Sequence, residues 1–144
     1  MKLTILFALL ILAFGCGSGT NKPVTADSDE LMADILTRSA GNKAIIEITF
    51  YRDLAEDVNG KTNKGFGKSV VSVQDPLFNG AAMTNATNLS DQPIYKTDAG
   101  NAKATNVITA SVGGKTFETT TMLETKLINK MTTVTLSKVE KGGS

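Results

Sequence analysis

The chain has no histidine, no tryptophan and a single cysteine, Cys16, in 144 residues. Without histidine there is no Ser-His-Asp or Cys-His catalytic unit, because the base that moves the proton is missing. Zinc sites built from histidine and cysteine go with it. One thiol excludes any disulfide within the chain. Charge is nearly balanced at 15 basic and 14 acidic side chains, so no basic excess exists to hold nucleic acid. Phosphate binding finds little support: Gly65-Phe66-Gly67-Lys68-Ser69 ends like a phosphate loop but lacks the upstream glycine at the required spacing. No cofactor and no nucleic-acid partner is expected.

What is present begins at Lys2, a short positive start followed by an almost unbroken apolar run from Leu3 to Phe14, closed by Gly15 and Cys16. A run of about a dozen residues is too short to cross a bilayer, which takes roughly 20 apolar residues as a helix. It has the length of the apolar region of a secretory signal. Leu12-Ala13-Phe14-Gly15-Cys16 resembles the lipobox of bacterial lipoproteins, with Gly15 in the small-residue place before the cysteine. Phe14 is bulkier than that pattern, and Leu12 lies one place further out. The resemblance implies that Cys16 is alkylated by a lipid and that the chain is cut before it. It also implies an exported, lipid-anchored protein of the bacterial cell envelope, at the outer membrane or cell surface. The residues alone leave open an ordinary secretory signal, or an uncleaved anchor, followed by an unpaired thiol.

Organisation follows from that leader. Residues 1–15 are predicted to be a signal peptide and 16–26, rich in Gly, Ser, Thr, Asn and Pro, a flexible tether. A domain is expected over 27–140, with a frayed tail at 141–144. The domain is large enough for its own core. Asp27 with Glu30 three residues on, then Leu31, Met32, Ile35 and Leu36, predict a short helix over 27–40 that stops at Gly41-Asn42. From there the period is two. Strands are expected at 44–52, at 68–74, from Ile94-Tyr95, at 108–112 and 117–123 about Gly113-Gly114, and at 131–139. Asp75-Pro76 is expected to break the second of these, and Asn79-Gly80 marks a tight turn. Polar loops fill 52–67 and 84–92. The expected fold class is mainly β, an antiparallel sandwich of six or seven strands with one N-terminal helix. Its core is predicted to gather Ile46, Ile48, Phe50, Val71, Val73, Ile108, Val112 and Phe117.

Residues Val70 to Met83 resemble the strand–turn–Gly-Ala stretch of bacterial immunoglobulin-like or transthyretin-like sandwich modules, with Tyr95 and Gly113-Gly114-Lys115 in the places of a later tyrosine strand and hairpin. The resemblance implies a sandwich fold and says nothing about a ligand.

Chemistry-bearing residues are sparse. Asp53, Glu56, Asp57 and Asn59 put four oxygen ligands within seven residues beside Gly60, a composition calcium accepts in flexible loops. The spacing is not that of an EF-hand, and Lys61 and Lys64 oppose a cation, so the plain reading is a solvated acidic loop. The same carboxylates could serve as a pair for glycoside hydrolysis, but nothing aromatic nearby suggests a sugar platform. Asn85-Ala86-Thr87 and Asn88-Leu89-Ser90 match glycosylation sequons, read here as coincidence. The expectation is a non-enzymatic lipoprotein module. It is held at the membrane by lipid and binds or scaffolds envelope or surface proteins or glycans. The alternatives are a structural subunit of a surface assembly and a small carboxylate-based hydrolase.

Overall fold

A computed structural model describes residues 20–23, 29–126 and 129–140. The predicted leader, Cys16 and the tail at 141–144 lie outside the described residues. Eleven strands run through the described residues. The first four are β1 (Thr20–Pro23), β2 (Glu30–Ala40), β3 (Lys43–Val58) and β4 (Lys61–Val70). Then come β5 (Gln74–Phe78), β6 (Ala81–Ala82), β7 (Thr84–Thr87) and β8 (Pro93–Asp98). A short 3-10 helix at Ala99–Asn101 leads to β9 (Asn106–Val112), β10 (Lys115–Thr121) and β11 (Met131–Lys138).

The strands form one antiparallel sheet, nearly closed into a barrel, in the order β6-β5-β9-β10-β11-β2-β3-β8-β7. β3 is the hub. Its β-branched and aromatic run of Ile45, Ile46, Ile48, Thr49, Phe50 and Tyr51 suits a pleated surface. One edge of β3 takes β2 and then β1; the other takes β8 and then β4. A register shift between Leu54 and Ala55 marks a bulge, past which β3 runs with β1 and β4.

The expected mainly antiparallel β class is present, but three details differ. The first is the predicted helix at 27–40, whose described part is strand β2. Leu31, Ala33, Ile35 and Thr37 are buried at period two, while Met32, Asp34, Leu36 and Arg38 face outward. Apolar Met32 and Leu36 on the outer face complete a helical spacing with Leu31 and Ile35, which masks the strand alternation that Ala33 continues inside. Gly41-Asn42, read as a helix stop, is the two-residue turn that pairs Ala40 with Lys43. Second, the span 52–67 is a hairpin of strands rather than a loop. Asn59 and Gly60 both have positive φ (52° and 74°), as a type I′ turn requires. Third, 84–92 contains β7 followed by a tight turn. The strand expected at 68–74 is divided as well, since β4 ends at Val70 and β5 begins at Gln74. With β1, β2, β6 and β7 the number rises from six or seven to eleven, joined in one continuous sheet instead of two packed ones.

Two predicted turns are observed with the same chemistry. Asn79-Gly80 and Gly113-Gly114 both carry positive φ at each central residue. Asp75-Pro76 does not end a strand; it lies inside β5 at a bulge, where proline's missing donor costs no ladder bond.

The core is the inner face of the sheet. Ile46, Ile48, Phe50, Ile108 and Phe117 are fully buried and Val73 nearly so, with Val71 and Val112 packed partly buried against them. Leu31, Ala33, Ile35, Phe78, Met83, Tyr95, Ala110 and Leu136 complete its buried part. Two polar devices draw the sheet toward closure. The Tyr95 hydroxyl on β8 accepts from the Val73 amide (2.8 Å) and donates to the Val73 carbonyl (3.3 Å), tying β8 to the segment entering β5. Fully buried Asn106 accepts from Asn79 Nδ2 (2.9 Å) and the Lys103 amide (2.8 Å) and donates to the Lys103 carbonyl (3.0 Å). Tyr95→Phe keeps the ring and strands two buried backbone groups, so urea titration is expected to show a loss of about 1–3 kcal/mol. A change within error of the parent would mean that this hydroxyl does not hold the closure.

Candidate binding surface

The outer face of β2, β3, β4, β8 and β11 carries the polar side chains that the register brings together. Asp34 on β2 lies opposite Thr49 on β3 and Thr133 on β11. Its Oδ1 accepts from the Thr133 hydroxyl (2.8 Å), and its Oδ2 takes the Lys68 ammonium from β4. To reach it, Lys68 crosses over Tyr51, with Nζ 4.5 Å from the ring centroid. The ring is only 2% exposed beneath it. Four strands are thus tied across one face.

Burial pushes the Tyr51 phenol above its ordinary 10.0, the Asp34 carboxylate adds to the rise, and Lys68 opposes it. The hydrogen bond to Asp34 raises Lys68 above its ordinary 10.5, against some desolvation. Both shifts favour the protonated groups in the folded chain. Their stabilisation is therefore complete below the unfolded values and is lost as pH climbs through the raised ones, in the alkaline range alone.

Further along the same face, Glu47 on β3 lies between Arg38 Nε and Lys96 Nζ, each 3.6 Å from one of its carboxylate oxygens. The cations are partly exposed (side chains 55% and 38%), while the Glu47 side chain is 13% exposed. These three, with Ile94, Asn88 and Leu89, line an open hollow of about 420 Å³. Leu89 stands wholly exposed on the turn between β7 and β8. That turn is rigid by construction: the Asn88 side chain accepts from the Ser90 and Gln92 amides (2.9 and 3.0 Å). The Asn88 amide in turn donates to the Gln92 carbonyl (2.9 Å). An exposed apolar side chain on a hydrogen-bonded turn, beside two cations and one carboxylate, fits recognition of a partner with an apolar and an acidic group.

The residues singled out from sequence lie elsewhere. Asp53, Glu56 and Asp57 are spread along the outer end of β3, opposite Lys68, Asn63 and Thr62, with Asn59 in the turn. Asp57 Oδ1 accepts from the Thr62 hydroxyl at 2.7 Å. Among the described residues no three acidic, cysteine or histidine side chains stand close enough to share a metal ion. Asn88, one of the sequon asparagines, spends its side chain on its own turn. The Asp34–Tyr51–Lys68–Thr133 and Arg38–Glu47–Lys96 groups were missed, since their members are remote in sequence and only the register unites them.

No family model matches the chain, and no curated protein or solved structure is significantly similar to it. The phenolate absorbance of Tyr51, isolated by difference from Tyr51→Phe, is expected to titrate above that of a free tyrosine. Lys68→Met, which removes the opposing cation, should raise it further. A downward move would contradict the assigned geometry.

Proposed function

We propose that this is an exported, lipid-anchored module of the bacterial envelope that binds another envelope or surface component without catalysing a reaction. The leader carries the anchor half of the reading, through the apolar run and the Gly15-Cys16 pair at its end. One observation supports the binding half. Leu89 is held wholly in water by a turn locked at Asn88, beside the Arg38–Glu47–Lys96 hollow. Exposing a large apolar side chain on a rigid turn stabilises nothing in the isolated domain, whereas rigid anchors of this kind lower the ordering cost of association. The partner's chemistry follows from the lining: a small apolar group flanked by a carboxylate that takes over Arg38 or Lys96.

Membrane fractionation and affinity capture from solubilised envelopes test the two halves separately. The parent is expected in the membrane fraction, and Cys16→Ser in the soluble or unprocessed one. Leu89→Asp combined with Arg38→Glu should keep the parent's melting temperature and lose the captured partner. Cys16→Ser that is cleaved like the parent and still held in the membrane would remove the anchor, and parent-like capture by the double variant would remove the surface.

A further inference from the structure

Building on the lipid-anchor reading, we infer that the tip of the β3–β4 hairpin, at Val58 and the Asn59-Gly60 turn, is the face this protein sets against the phospholipid surface. The direction of β1 carries the inference. β1 runs antiparallel to β3, with Thr20 opposite Asp57 and Pro23 opposite Leu54. The chain therefore enters β1 from the tip side, one residue short of Val58. Cys16 is four peptide steps upstream of Thr20, and four steps span at most about 14 Å. The opposite end of β3, at Lys43, is fifteen residues from Val58, about 50 Å of strand. A lipid on Cys16 consequently fixes which end of the domain meets the bilayer.

The hairpin is also shaped as a stand-off. β2 leaves β3 at the Met32–Tyr51 pair and β8 at the Ile48–Tyr95 pair, so beyond the bulge only β1 and β4 flank it. Residues 57–63 are exposed along this arm. Its tip offers a surface suited to a lipid interface: Val58 is 38% exposed, the turn is uncharged, and Lys61 is exposed toward anionic headgroups. The nearest carboxylate, Asp57, is engaged by Thr62. The Arg38–Glu47–Lys96 hollow lies toward the other end of β3, where a lipid-anchored domain would present it away from the bilayer.

Quenching in reconstituted vesicles tests the orientation. The full chain, processed in cells, is labelled with a thiol-reactive fluorophore at Asn63→Cys or at Lys43→Cys. It is then placed in phosphatidylethanolamine–phosphatidylglycerol vesicles containing a headgroup-nitroxide lipid. Because Cys16 is blocked by lipid, the parent should take up no label. The expected result is strong loss of fluorescence at position 63 and none at position 43. Membrane-bound protein with equal quenching at the two sites, or more at 43, would overturn the orientation while leaving the anchor standing. Labelling of the parent together with failure to enter the vesicles would bring down both.

Discussion

Backbone pairing along both edges of β3 is the constraint on which the remaining structure depends. A buried or half-buried strand must satisfy every N–H and C=O, and β3 does so by recruiting four neighbours in two halves. Its first half, with β2 and β8, puts Ile46, Ile48 and Phe50 into the core. Its second half, beyond the bulge, leaves the core and becomes the arm. One strand thus defines both the packed body and the projection that distinguishes its two ends.

Curling that sheet brings polar groups inside, and each is answered. Tyr95 serves the Val73 backbone, and Asn106 and Asn79 hold the ends of β5 and β9 to the chain that follows the 3-10 helix. Among the described residues no buried side-chain nitrogen or oxygen is left without a partner. Satisfied polar networks of this kind specify one arrangement where apolar packing tolerates several. The outer face is tied in a different currency, by charge and cation–π contact through Asp34, Lys68 and Tyr51.

Turn chemistry and alternation were legible wherever the two agreed. Gly113-Gly114 between alternating runs and Asn79-Gly80 after Phe78 needed no tertiary information, and Ile46, Ile48, Phe50, Ile108 and Phe117 announced the core. Reading failed where one signal hid another. Met32 and Leu36 are apolar yet face outward, so β2 mimicked a helix. Asn59-Gly60 was a hairpin signal drowned by the polar residues of the arm, which has no core to face and so shows no apolar alternation. The outer-face groups were illegible for a different reason: Asp34 meets Lys68 and Thr133 only after β11, β2, β3 and β4 are laid side by side. Sequence records members of such a group without their register.

The central claim is that β3 organises the sheet, and native-state amide hydrogen exchange measured residue by residue tests it most directly. The account predicts that amides from Ile46 to Tyr51 exchange only through global unfolding, in the slowest class of the chain. The short edge strands β6 and β7 should exchange by local opening, far faster. Exchange of the β3 amides at the rate of β6 and β7 would contradict the account, because a strand paired on both edges cannot open without taking the sheet apart.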